Sequence, residues 1–361
     1  MKPHEYFDLI SGRRTGVQAE LQRAALSVAS VGYALGTMAR NLGYDWQVLP
    51  VRRAGLPVIS IGNLTTGGTG KTPFAAWLAR WFRERGVRVC FVSRGYGAGE
   101  SGPNDEALVL EQICPDVPHL QNPDRYAAAE VARGELASQL VVLDDGFQHR
   151  RLARDLDIVL IDASNPWGYG HWLPRGLMRE PKGGLQRADV IVLTRVDQVE
   201  REPLQRLQQE LRGRYPDAVL AQAAFPPAGV RAWGGELLPM SSLPMSSLPG
   251  GAVAAFCGIG NPEAFEHSLQ LAGCRVIAFR PFPDHHRYTR DDVAELGEWV
   301  RQVQPTQVLT TQKDLVKLEI GTLGGVPLRA LEIDTRLVQG QPELEARLQT
   351  ILAKVPENEL E

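Results

Sequence analysis

Ile59-Ser60-Ile61-Gly62-Asn63-Leu64-Thr65-Thr66-Gly67-Gly68-Thr69-Gly70-Lys71-Thr72-Pro73 is the stretch from which the fold is read. An apolar run, Pro57 to Ile61, leads into it, and a helix-compatible segment, Phe74 to Arg85, leads out. Strand, glycine-rich turn and helix in that order are the setting of a phosphate-binding loop. Glycine has no Cβ, so successive backbone N–H groups can converge on a polyphosphate, and the following helix adds the positive end of its dipole. Thr65, Thr66, Gly67, Gly68, Thr69, Gly70, Lys71 and Thr72 are therefore the expected nucleotide-binding set. Lys71 is expected to reach the β- and γ-phosphates of ATP, with the Thr72 hydroxyl on Mg²⁺. Thr65 stands where the pattern G-x-x-x-x-G-K-[ST] has its first glycine, and Gly67-Gly68 restores flexibility inside the loop.

Downstream, the same strand-and-turn grammar recurs. Val87 to Val92 is a β-rich run that opens into Ser93-Arg94-Gly95-Tyr96-Gly97. Leu140 to Leu143 delivers two aspartates, Asp144 and Asp145, at a strand end, where one of them is the natural partner of a Mg²⁺ ion. Ile158 to Ile161 and Val190 to Leu193 follow as further apolar strands. Continuous apolar runs alternating with helices predict a mostly parallel α/β sheet of the P-loop NTPase type, flanked by helices. Leu173 to Pro181 is a loop with two arginines, Arg175 and Arg179. Thr194-Arg195-Val196-Asp197 is similar to the guanine-reading [NT]-K-x-D pattern, but arginine replaces its lysine, so guanine recognition does not follow.

The length of 361 residues suggests two domains, and a net charge of −3 carries no electrostatic footprint for nucleic acid. The predicted division is a nucleotide domain over 1–215 and a smaller α/β domain over 216–361 that closes over the active-site cleft. In the second domain Ala252 to Cys257, Val276 to Phe279 and Gln307 to Leu309 read as strands, and the tandem Leu-Pro-Met-Ser-Ser repeat over 238–249 reads as an exposed loop. The four cysteines, Cys90, Cys114, Cys257 and Cys274, form no C-x-x-C pair, which argues against a disulfide framework or zinc site and fits a reducing compartment. The adjacent His285 and His286 diverge as neighbours in a loop, so they do not suggest zinc either. Met1 to Leu21 is polar and charged and does not read as a cleavable signal. Ala24 to Ala39 is uncharged but too short and too polar to span a bilayer. Arg13, Arg14, Arg23, Arg40, Arg52 and Arg53 flank it, leaving two readings: a helix on an anionic membrane surface, or a core helix packed on the nucleotide domain.

In order along the chain, the phosphate loop, Ser93 to Gly97, Asp105-Glu106, Leu143 to Gln148, Leu177 to Pro181, Phe282 to His286 and Lys313-Asp314 resemble the tetraacyldisaccharide 4′-kinase family of lipid A biosynthesis. Thr65 matches that family's loop. Asn104-Asp105-Glu106-Ala107 departs from the Gly-Asp-Glu-Pro that the family usually carries. The resemblance implies transfer of the ATP γ-phosphate to the 4′-hydroxyl of an acylated glucosamine disaccharide 1-phosphate. It implies Asp105 as the group that takes the hydroxyl proton, with His285 (or His286) as its partner. It also implies metal contacts from Thr72, Asp144, Asp145 and Glu180, and substrate or phosphate contacts from Arg94, Glu106, Arg179 and His286. Since Asp105 and His285 fall in different predicted domains, the pair is expected to assemble on closure. A substrate with four acyl chains stays in the bilayer, so a peripheral enzyme on the cytoplasmic face of the inner membrane is expected, with no protein partner implied.

Three other readings compete. A partition-type ATPase switch needs a signature lysine where this chain has Thr66. A soluble small-molecule kinase would phosphorylate a lipid-free acceptor. A nucleotide-gated membrane adaptor would bind ATP without turnover and leave Asp105 without a role.

Overall fold

The computed structural model describes residues 3–95, 104–240 and 252–356. The first half of the chain runs α1 (Pro3–Ile10), α2 (Val17–Asp45), β1 (Val58–Asn63), α3 (Lys71–Arg83), β2 (Val89–Ser93), α4 (Asp105–Ile113), β3 (His119–Gln121), α5 (Arg125–Gly134), β4 (Leu140–Asp144), β5 (Leu156–Asp162), β6 (Val190–Thr194), α6 (Arg201–Arg214) and β7 (Val219–Ala224). The second half continues with β8 (Pro227–Ala232), β9 (Leu237–Pro239), β10 (Ala252–Cys257), α7 (Pro262–Leu271), β11 (Arg275–Pro281), α8 (Arg290–Val303), β12 (Gln307–Thr311), α9 (Gln312–Leu318), β13 (Thr322–Leu323), β14 (Val326–Ile333), β15 (Arg336–Gln339) and α10 (Gln341–Leu352).

Two compact units result. The first comprises Met1–Glu100, Cys114–Ala224 and Leu337–Glu361; the second comprises Ser101–Ile113 and Phe225–Arg336. The sequence-based boundary at 215/216 is thus corrected in three ways. β7 completes the first sheet, so the division falls at 224/225. The C-terminal segment returns to the first unit, where the apolar face of α10 (Leu344, Leu348, Ile351) is buried and Gln139 Nε2 donates to the Pro356 carbonyl at 2.7 Å. Finally, α4 leaves the first unit altogether and packs on α9 of the second.

In the first unit eight strands run in the order β15-β7-β6-β5-β1-β4-β2-β3, and the pairings among β1 to β7 are all parallel. Each of β1, β2, β4, β5 and β6 is buried along its whole length, as their unbroken apolar reading demands. The chain leaves β1 toward β2 on one side, then returns through β4 and passes to β5 on the other. β1 therefore sits at the point where strand order reverses, and its carboxyl end is where such a sheet binds ligands.

The second unit is a mixed sheet in the order β11-β10-β12-β14-β8-β9, with β13 also on β14. Its core clusters Phe256, Leu296, Val300, Val308, Leu315 and Leu328 on one side and Val253, Ala255, Phe265, Leu269 and Leu309 on the other. Of the Leu-Pro-Met-Ser-Ser repeat, 241–249 lies outside the described residues, as do Tyr96 and Gly97.

α2 resolves the ambiguity of the N-terminal segment in an unexpected direction. It is longer than the uncharged stretch, and its buried positions are Ala19, Arg23, Ser30, Thr37 and Asn41, which are mostly polar. Ser30 Oγ donates to the Trp172 carbonyl at 2.9 Å and accepts from the Arg175 N–H at 3.0 Å. Meanwhile Val17, Leu21, Val28, Val31, Leu35, Met38 and Leu42 are exposed, in a three-four spacing that places them along one stripe. The helix is inside out for a core element. Of its flanking arginines, Arg23 is turned inward and donates to the carbonyls of Leu9 and Arg14. No helix among the described residues is long and apolar enough to cross a membrane.

Candidate active site

The loop after β1 has the backbone that its glycines foretell. Gly67 and Gly70 take left-handed φ values of 109° and 87°, and open space lies where a Cβ on Gly67 or Gly68 would point. α3 begins at Lys71, one turn earlier than the apolar pattern suggested, with Pro73 in its first turn, where the missing N–H costs nothing. Asn63 ties the loop together. Its Nδ2 donates to Thr69 Oγ1 at 3.1 Å, while its own carbonyl accepts from Gln148 Nε2 at 2.9 Å. Thr194 Oγ1 donates to the Thr69 carbonyl at 2.9 Å, and Arg195 reaches the Gly68 carbonyl. The Thr194-Arg195 segment thus buttresses the phosphate loop. Arg195 also pairs with Asp162 in a buried contact, each side chain about 10% exposed. Arg195→Met is expected to leave Asp162 buried and unpaired, at a stability cost of about 3–5 kcal/mol. A raised KM for ATP together with a lower melting temperature in calorimetry checks this.

β4 ends at Asp144, which is buried, and Asp145 follows at a left-handed φ of 52°. Its next neighbour, Gly146, admits no side chain, because a Cβ would fall 2.7 Å from Leu143 and from Ser60 Oγ. Arg179 holds the Asp145 carboxylate with both terminal nitrogens at 2.8 Å, and Lys71 Nζ lies 3.6 Å away. Burial alone raises a carboxyl group, but Lys71, Arg179 and Arg125 outweigh it and hold Asp145 well below the usual carboxylate range. Arg125, at the start of α5, is a buried cation that nothing in its sequence surroundings announces. Glu180, expected near a metal, is fully buried and turned inward. Gln148 and Arg187 each donate to it at 2.7 Å and Asn41 at 3.4 Å, so it braces the loop against α2. Arg94 lies exposed just past β2.

In the second unit, His285 takes a left-handed φ of 55° and its Nδ1 lies 2.9 and 3.1 Å from the two oxygens of Asp105. Both residues belong to this unit, so the expectation that domain closure assembles the pair is corrected: the hydrogen bond is already formed. Asp105, at the first turn of α4, is buried, whereas His285 is half exposed. Burial raises the Asp105 carboxyl, yet the His285 hydrogen bond, Lys313 and Lys317 bring it down to about 2. The same hydrogen bond pushes the His285 imidazole up from its ordinary value, against the effect of burial. Glu106 pairs with Lys313 Nζ at 2.7 Å. His286 faces away from Asp105: its Nε2 lies 3.2 Å from Asp292, in the capping box of α8, and its ring packs against Phe282 and Tyr288. Of the two histidines, His285 is the partner. Lys317, whose Nζ lies 3.7 Å from Asp105, was not legible from spacing alone.

A glycine loop at the switch point of a parallel sheet, with Lys-Thr opening the next helix and acidic residues on the adjoining strand, defines a P-loop nucleotide-binding protein. The sequence model of LpxK, tetraacyldisaccharide-1-P 4′-kinase, matches residues 22–353. The tetraacyldisaccharide 4′-kinase of Anaeromyxobacter sp. (strain Fw109-5) is 39% identical over 95% of each chain, and that of Geobacter metallireducens is 39% identical over 86% of this chain and 93% of its own. The crystal structure of the "apo" form of LpxK from Aquifex aeolicus in complex with ATP is 29% identical, with a TM-score of 0.70 over 91% of this chain and 99% of that one. The chain belongs to the tetraacyldisaccharide-1-P 4′-kinase family.

Proposed function

We propose that this kinase transfers the γ-phosphate of ATP to the 4′-hydroxyl of a tetraacylated glucosamine disaccharide 1-phosphate, giving lipid IVA, while seated on the cytoplasmic face of the inner membrane. The observation that carries the catalytic reading is the Asp105–His285 hydrogen bond, because this carboxylate belongs to neither the phosphate loop nor the β4 acidic pair. Phosphoryl transfer has a loose transition state and needs orientation more than basicity. Asp105 accepts the hydrogen bond of the attacking hydroxyl and aims it. The pair as a whole then takes up the proton, which resides on the imidazole whose basicity Asp105 has raised. Lys71, Arg179 and the N–H groups over Gly67 to Thr72 neutralise and orient the phosphates.

Thr72, Asp144 and Asp145 are hard oxygen donors that suit Mg²⁺, which takes most of its ligands from water and phosphate. Among the described residues no cluster of three or more His, Cys, Asp or Glu would hold a metal alone. Held there with ATP, a Mg²⁺ ion would supply charge neutralisation at the phosphates, with Thr72, Asp144 and Asp145 as the residues that would hold it. Thr72→Ala is expected to raise the Mg²⁺ concentration needed for half-maximal rate, read from a Mg²⁺ titration.

The apolar stripe of α2 supports the membrane reading, continued by Trp46 (73% exposed) and Val48 (72%). Burying one such side chain contributes about 1.5–3 kcal/mol. Val28→Asp with Leu35→Asp should therefore weaken binding to anionic phospholipid vesicles about a hundredfold or more and cut turnover of bilayer-embedded substrate, with turnover of dispersed substrate and the melting temperature unchanged. Equal losses on both substrate forms with a lowered melting temperature would return α2 to a packing role. The transfer itself is tested by mass spectrometry: wild-type protein with ATP and the lipid in detergent should give a product one phosphate heavier. Phosphorylation of a lipid-free sugar at equal efficiency would favour the soluble-kinase reading.

A further inference from the structure

The proposed base is held from two sides, and only one of them is the histidine. α4 lies on α9, and two acidic residues in the first turn of α4 meet two lysines one helical turn apart on α9. Glu106 meets Lys313 at 2.7 Å, and Asp105 Oδ2 lies 3.7 Å from Lys317 Nζ. The same Lys317 ammonium sits 3.1 Å from Oδ1 of Asp314, a fully buried carboxylate. Asp314 is anchored by three further donors: the Gly258 N–H at 2.9 Å, Thr311 Oγ1 at 2.6 Å and the Tyr288 hydroxyl at 3.0 Å. Gly258 makes that anchor possible, since a Cβ there would fall 3.0 Å from Asp314 Oδ1 and 3.2 Å from the Tyr288 hydroxyl. A buried carboxylate so fixed gives the lysine one place to stand.

We propose that Lys317 is a positioning residue: pinned by Asp314, its ammonium holds the Asp105 carboxylate in the rotamer that meets His285 Nδ1 and presents it to the acceptor hydroxyl. The inference rests on the reading of Asp105 as the proton-accepting group. A flexible lysine facing one carboxylate at 3.7 Å would contribute little, but a lysine whose head is fixed by a second, immobile carboxylate acts as a rigid charge. The titratable groups facing Asp105 are His285, with Asp284 beside it, from the loop between β11 and α8, and Lys313 and Lys317 from α9. Glu106 neutralises Lys313 at 2.7 Å. Asp314 shares Lys317 with Asp105.

Lys317→Met alone leaves Asp314 uncompensated, so the informative variant is Lys317→Met with Asp314→Asn, which removes both members of the buried pair. Lys317→Arg is the conservative control. Two measurements are made: the NMR titration of His285, assigned against His285→Ala, and the pH profile of kcat at saturating ATP. In the double variant the Asp105–His285 hydrogen bond that raises the imidazole is weakened, so the His285 titration and the acidic limb of the profile should move to lower pH by about one unit. kcat at neutral pH should fall about ten- to a hundredfold, with KM for ATP unchanged. Lys317→Arg should keep the wild-type profile. A folded double variant with wild-type titration and kcat would overturn the proposal and reduce Lys317 to a counter-ion for Asp314. If the titration moves but Asp105→Ala transfers phosphate normally, the grip of Lys317 on Asp105 stands and the reading of Asp105 as the base fails.

Discussion

Replacing Lys71 by alanine is expected to lower phosphoryl transfer by about 10²–10³-fold while the protein stays folded. The loss follows from position. Lys71 opens α3, so in the role proposed for it its ammonium would address the same phosphates as the first-turn N–H groups, and removing one preorganised donor from such a site typically costs that much. Stability should hardly change. The Lys71 ammonium lies 3.6 Å from Asp145, but Asp145 is 40% exposed and keeps both nitrogens of Arg179. A partly exposed pair of this kind is worth no more than about 1 kcal/mol. Rate and melting temperature measured on one preparation separate the two effects. A near-normal rate would mean that the loop does not cradle the transferred phosphate.

The second large effect belongs to Asp105. Asp105→Ala is expected to cut kcat by about 10²–10⁴-fold with ATP affinity nearly unchanged, because the residue lies outside the phosphate loop and the β4 acidic pair. His285→Ala should act on the same step, and the double variant should be little worse than the poorer single one if the two work as a unit. The pH dependence carries a definite sign. The pair accepts a proton only while the imidazole is neutral, and the Asp105 hydrogen bond raises the His285 pKa above its usual 6.5. The wild-type rate should therefore fall as pH drops through a midpoint above 6.5, and His285→Ala should abolish that limb. Multiplicative losses in the double variant would instead separate the two roles.

Much of this was legible because short segments dictate their own geometry. Pro57 to Ile61 could only be a buried strand, and Gly67 and Gly70 occupy positions that need left-handed backbone. The ordered motifs were enough to identify the family. What escaped depended on contacts between segments far apart in the chain. Asp105 lies among residues of the first sheet in sequence, yet α4 joins the second unit, because its acidic first turn meets Lys313 and Lys317 some two hundred residues later. No local periodicity encodes that. Likewise α10 had nothing in its sequence to tell which sheet would bury Leu344 and Leu348. The choice between His285 and His286 rested on the loop's turn, which gives His285 its left-handed φ and points the next ring at Asp292. For α2, moderate hydrophobicity could not say which face was buried. Only the structure shows polar Ser30, Thr37 and Asn41 inside and the apolar stripe outside.

The central claim is that one chain positions an ATP γ-phosphate and activates a sugar hydroxyl through Asp105. It is tested most directly by γ-labelled ATP in a single turnover with the disaccharide 1-phosphate lipid, comparing wild type with Asp105→Ala and locating the label on the sugar. Label is expected at the 4′ position with wild-type protein, appearing as fast as ATP disappears, and about 10²–10⁴-fold more slowly with Asp105→Ala. ATP consumed without label in the lipid, or label transferred equally fast by Asp105→Ala, would contradict it.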